Sequence, residues 1–265
     1  MSWWLVMAHG IRSALLHNAA RTSNRTTRFA ARDISRPAAR SAQSQSAALP
    51  EQTAPERARL YSEELGIDLA GGREQDLFLW FLASLLFGQR ISETIARHTF
   101  ESFVRHGLTN PQKILAAGWE YLVNPVMREG GYVRYDESKS RKILSACRML
   151  LDLYGGSLAR LHEKASDRRD LEQRLLAFYG VGPVTVNIFL RELRPFWRKA
   201  DPDPLPVVEA LARDLGVDFN AHDRKSLAFA RVEAGLIRLR HLARRAHRPE
   251  RGACAGRRKS PPEAG

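Results

Sequence analysis

Residues 74–89, EQDLFLWFLASLLFGQ, limit the possible folds more than any other stretch of the chain. From Leu77 to Phe87 only Ser84 interrupts a run of apolar side chains. A helix of that length with no polar stripe has no face to show to water, so it must be surrounded by other elements. The flanking sequence supplies them. Residues 91–107 repeat apolar side chains at Ile91, Ile95, Phe100, Phe103 and Val104 and end on Gly107, a helix stop. Asn110 followed by Pro111 reads as an N-cap and first helical position. Residues 136–154 are amphipathic, with an acidic start at Asp136 and a stop at Gly155 and Gly156. Further helices are predicted in 167–178, 183–193, 204–216 and 223–247. No alternating run is long enough for a strand. The fold class is all-α with short connections, and 265 residues suffice for one sizeable core or two small lobes.

Charge divides the chain into three parts. Residues 1–50 carry seven arginines and one acid, Asp33, while residues 238–265 carry nine basic and two acidic side chains. The 26 basic and 26 acidic residues of 51–237 cancel, so the formal +13 resides in the two ends. The expected organisation is a disordered Arg/Ser/Ala-rich leader over 1–55, a helical domain over 56–245 and a disordered basic tail over 246–265. The leader has the composition of a mitochondrial transit peptide, of a merely disordered basic extension, or of a reading frame begun too far upstream. Any grip of the central domain on nucleic acid must therefore be local. Two cysteines, Cys147 and Cys254, are too few for a disulfide framework or a cysteine-ligated cluster. His98, His106, His241 and His247 have no convincing metal spacing, so no metal and no cofactor is implied. No apolar run is long enough to span a membrane.

The stretch FYGVGPVTVNIFLREL, Phe178 to Leu193, places two glycines one residue apart and then a proline before an apolar helix. Helix, YGVGP, helix reads as a helix-hairpin-helix arrangement. Gly180 and Gly182 permit positive φ and remove the Cβ atoms that would block close approach. Amides of the turn and of the following helix start can then converge on one anionic oxygen. Pro183 suits the first turn. The same residues also suit a plain tight corner between helices. A backbone nest of this kind reads the sugar–phosphate chain and not the bases.

Three segments within residues 74–216 resemble the helix-hairpin-helix DNA glycosylases of the endonuclease III type. They are ASLLFGQRISETIARHTFESF, GGYVRYDESKSRKILSACRMLL and LLAFYGVGPVTVNIFL, the last with Gly180, Gly182, Thr185 and Asn187 in register. The resemblance implies a two-lobed helical bundle containing the helix-hairpin-helix motif, with extrusion of a damaged or mispaired base and cleavage of its N-glycosidic bond. It implies that Gln89 enters the duplex near the flipped base and that Gly180, Val181, Gly182, Val184 and Thr185 meet the DNA backbone. Arg90 and Lys139 are candidate phosphate contacts, and Tyr132 and Tyr135 candidate walls of a base pocket; Trp80 and Phe81 read as core. The family's Schiff-base lysine falls at Val184, which cannot be a nucleophile, so a monofunctional glycosylase is expected. The family's aspartate falls at Asp203, 19 residues after Val184, or at Asp201, at 17, although DPLPVVEAL departs from the usual pattern there. Asp-Pro also suits a turn, which leaves a structural role open for both residues. The family's common iron–sulfur loop needs four cysteines and cannot form. The expected partner is double-stranded DNA with a damaged or mispaired base, bound by a monomer. The expected setting is intracellular and DNA-associated: a bacterial or archaeal cytoplasm, or a mitochondrion or nucleus if the leader is a transit peptide. A DNA-binding protein of this fold without catalysis is the alternative.

Overall fold

The computed structural model describes residues 55–246; the stretches 1–54 and 247–265, which carry the expected leader and tail, lie outside the described residues. Every element among the described residues is helical. Residues 54–236 form one compact unit, which holds every candidate site residue. No helix among the described residues is long and apolar enough to cross a membrane.

A short helix α1, Tyr61–Glu64, precedes the central helix α2, Glu74–Phe87. Every residue of α2 from Asp76 to Leu86 is buried, as its unbroken apolar surface requires. Helices α3 (Glu93–Arg105), α6 (Leu158–Lys164) and α8 (Pro183–Leu193) pack on it. The Trp80 indole nitrogen donates to the Phe189 carbonyl at 3.0 Å. The Phe81 ring meets Phe178 and Phe189 edge-on, each at 5.4 Å. Each such buried side chain contributes roughly 1.5–3 kcal/mol, so α2 and α8 form one block.

The Asn110 cap sits where the sequence puts it, and Ser92 and Asp167, which the sequence reading does not single out, cap two further helices. Ser92 accepts from Ile95 N–H, Asn110 from Lys113 N–H and Asp167 from Asp170 N–H, which start α3, α4 (Pro111–Tyr121) and α7 (Arg168–Leu176). Helix α9 spans Pro206–Leu215 and α10 Leu227–Ala246. Three features depart from expectation. Helix α5, Asp136–Tyr154, is not capped by Asp136: its N-cap is Tyr135 in the left-handed region, φ 69°, and Asp136 is the first helical residue. Helix α6 arises from a two-turn stretch too short to show a periodicity. Leu122–Met127 follows α4 as a further helical segment that the sequence reading does not predict, and its backbone kinks at Asn124, φ −145° and ψ 115°, immediately before Pro125.

A candidate nucleic-acid interface at the corner between α7 and α8

After α7 the chain turns through Phe178–Gly182, closed by Val181 N–H donating to Phe178 O at 3.0 Å. Gly180 sits at φ 82°, where only glycine is at ease. A Cβ there would also lie 2.5 Å from Cδ of Lys142, whose stem from α5 packs against the corner. Gly182 is different. It is extended, φ −116° and ψ 175°, and is the N-cap of α8. The expectation of positive φ at both glycines is thus corrected at Gly182. A helix entered from an extended N-cap needs no left-handed residue there. A Cβ on Gly182 would meet nothing within 4 Å. Among the described residues no side chain caps α8, and Pro183 opens its first turn. The donors of that turn and the positive end of the helix dipole therefore face outward without a side-chain partner.

Val181 is 8% exposed and anchors the corner to the core. Tyr179, 63% exposed, and Val184, 46% exposed, flank it. Sequence reasoning passed over Tyr179, although its place in the turn was a usable signal. Thr185 is buried, so only its backbone can serve a ligand; its side chain is held against the end of α2. A Cβ on Gly88 would fall 2.1 Å from Thr185 Oγ1, so α2 ends directly against the first turn of α8. Gln89, half-buried, and Arg90, exposed, follow immediately. The structure thus brings Gln89, Arg90, Gly182, Val184 and Thr185 together.

Two expected contacts are overturned. Lys139 is buried, and its Nζ donates to the Leu85 carbonyl in the last turn of α2. Burial and the nearby Lys142 charge pull its pKa down to about 7, and it cannot reach a phosphate from there. The ammonium instead satisfies a carbonyl that a helix end leaves unpaired. Tyr132 is also buried, its hydroxyl pushed up to about 12 by desolvation, so it is core and not a pocket wall. Tyr135 is exposed, with the Arg134 guanidinium 5.0 Å over its ring. Cys147 is buried and its thiol is raised to about 12, which leaves it inert.

One helical turn into α8, Asn187 Nδ2 donates to the Asp203 carbonyl at 2.7 Å, tying the Asp-Pro-Asp segment to the same helix. The two aspartates differ. The Asp201 side chain, 26% exposed, faces Arg224 at 3.0 Å and the buried Arg194 at 3.3 Å. Arg194 in turn binds Glu233 and the Pro202 carbonyl, so Asp201 belongs to a network that serves the fold. The Asp203 side chain is 72% exposed, with Arg168 at 2.6 Å and Arg224 at 3.2 Å. The Arg168 hydrogen bond, aided by the Arg224 charge, holds its carboxyl below the usual carboxylate range. It is an ionised, solvent-facing carboxylate, though a paired one.

Comparison with protein-family models, curated proteins and solved structures finds no match. The chemistry of the site therefore rests on its own residues. An uncapped helix start without a Cβ can hold an anionic oxygen. The exposed Val184 beside it offers no nucleophile or base. The solvent-facing carboxylate tied to the same helix is Asp203, paired with Arg168 and Arg224.

Proposed function

We propose that this protein is a base-excision DNA glycosylase of the helix-hairpin-helix type, two-lobed, monofunctional, and acting on a damaged or mispaired base in duplex DNA. The observation that carries the reading is Gly182. Neither its backbone angles nor any neighbouring atom calls for glycine, yet it caps an outward-facing helix start that no side chain closes. A bare position of that kind suits the close approach of a partner's backbone. The corner would hold a phosphate beside the extruded nucleotide, and Gln89, half-buried at the end of α2, would enter the gap left by the base. Asp203, ionised in the free protein, would stabilise the positive charge that develops on the sugar as the glycosidic bond breaks, and orient the attacking water. With Val184 at the lysine position, the product is an intact abasic site.

The test is incubation of the full chain with duplexes carrying uracil, a thymine–guanine mispair, oxidised bases and alkylated bases, followed by alkali. Strand cleavage after alkali on one of these duplexes is expected, with no covalent adduct on borohydride treatment. An adduct would overturn the monofunctional assignment. The pairing of Asp203 with two guanidinium groups favours a second reading, a DNA-binding protein of this fold without catalysis. Tight duplex binding with no base release from any of the duplexes would select it. In either case the protein is proposed to act inside the cell, on DNA, as a monomer.

A further inference from the structure

The corner's own donors are neutral backbone groups, Arg90 follows the nearby end of α2, and the chain from 51 to 237 has no net charge. Neutral amides orient a phosphate but displace none of the condensed cations around DNA. A cation stands beside them. The stem of Lys142 runs along Gly180, its Cβ, Cγ and Cδ lying 3.0, 2.7 and 2.5 Å from where a Gly180 Cβ would be. Its Nζ is two bonds further on, about 2.5 Å beyond Cδ. Among the described residues that ammonium makes no hydrogen bond or ion pair. Lys139, one turn earlier on α5, is by contrast committed to the Leu85 carbonyl at the end of α2. The end of α2 that Lys139 meets is the same end that abuts the first turn of α8 at Gly88 and Thr185, so the two lysines, one turn apart on α5, flank that junction and the Gly180 turn.

We propose that Lys142 is the charged ligand of the phosphate held at the corner, supplied from α5 through the space that Gly180 leaves open. This rests on the reading of the corner as a DNA-backbone site. Glycine at 180 then has two roles: it permits the left-handed turn and lets the lysine stem lie flat beneath it. Backbone amides orient the phosphate and one remote lysine neutralises it.

The experiment is fluorescence anisotropy with a short undamaged labelled duplex and the full chain, over about 50 to 200 mM potassium chloride. The variants are Lys142→Met and Lys142→Gln, which keep most of the stem, Lys142→Arg, and Gly182→Asp. The basic ends contribute equally to every variant, so differences in slope report the corner. Lys142→Met and Lys142→Gln are expected to flatten the dependence of log K on log salt by about 0.9 and to weaken binding about tenfold near 0.1 M salt, with Lys142→Arg restoring both. If Gly182→Asp weakens binding while the Met and Gln variants keep the parent slope, the lysine only packs, and the proposal fails with the corner reading intact. If Gly182→Asp binds like the parent, or the parent binds no duplex, the corner reading fails and the role of Lys142 fails with it.

Discussion

The corner at Gly180–Gly182 and the segment Ala200–Asp203 lie beside the same helix and are held in opposite ways. The corner is fixed by apolar packing and one turn hydrogen bond, and its outward face is left to bare backbone. The aspartate segment is fixed almost wholly by long polar side chains from elsewhere: Arg194 and Arg224 on the Pro202 carbonyl, Lys225 on the Ala200 carbonyl, Asn187 on that of Asp203. One region has backbone donors waiting for a partner, and in the other the carbonyls of Ala200, Pro202 and Asp203 all accept side-chain hydrogen bonds. A site that grips and a site that is held rigid make different demands, and a phosphate clamp beside a fixed carboxylate would need one of each.

That contrast can be broken by mutation. The largest effect is expected at Arg194. Its buried guanidinium pairs with the equally buried Glu233, so Arg194→Met strands a carboxylate and should cost about 3–5 kcal/mol in urea unfolding. A loss under about 1 kcal/mol would mean that the segment is not held as described. Asp203→Asn should leave stability within about 1 kcal/mol, because the pair is exposed. It should nonetheless slow base release at least about 100-fold on a cleaved duplex. The sign of its pH dependence follows from the depressed folded pKa. Whatever stability Asp203 contributes is present above the ordinary aspartate value, about 3.9, and lost as pH falls through the lower folded value. Base release between pH 5 and 8 should therefore show no titration of this carboxyl.

The two glycines sharpen the comparison within the corner. Gly180→Val forces a branched side chain into the left-handed region and onto the Lys142 stem, at about 2 kcal/mol of stability. Gly182→Asp should instead be neutral or a few tenths of a kcal/mol more stable, since aspartate suits an N-cap. Duplex affinity should fall at least about tenfold, because the carboxylate takes the place of the phosphate. Equal destabilisation at both positions would erase the distinction between them. The effect of Lys139 is read through pH. Its folded pKa, about 7, lies below the ordinary lysine value, so above pH 7 the unfolded chain binds the extra proton. Stability should then rise from pH 7 toward 9 by up to about 1.4 kcal/mol per unit. Lys139→Met should flatten that slope in urea titrations at several pH values.

Much of this could be read in advance where the physics is local. The cap at Asn110 forms within three residues of itself, so its spacing in sequence is its geometry; Ser92 and Asp167 cap in the same local way, although the sequence reading did not single them out. The burial of α2 follows from having no polar face. The corner was legible as a pattern, yet the pattern could not separate its glycines: Gly180 is constrained by a lysine on another helix, and Gly182 by nothing among the described residues. Lys139 reads like any cation on an amphipathic helix, and its burial depends on a carbonyl 54 residues earlier. Arg168 and Arg224 carried no signal in sequence, since their partner, Asp203, is reached only after three helices have packed.

The amino-acid sequence alone determined the helical class, most helix boundaries, the turn that could cradle an anion and the absence of a nucleophilic side chain at Val184. Each follows from periodicity, capping or residue identity, which act over one or two turns of chain. The tertiary structure decided what became of the long polar side chains: which lysine is sealed against a helix end, which stands at the corner, and which aspartate still faces water. Such side chains find partners across the fold, and in a buried or half-buried setting the nearest unsatisfied group, whatever its distance along the chain, sets their role.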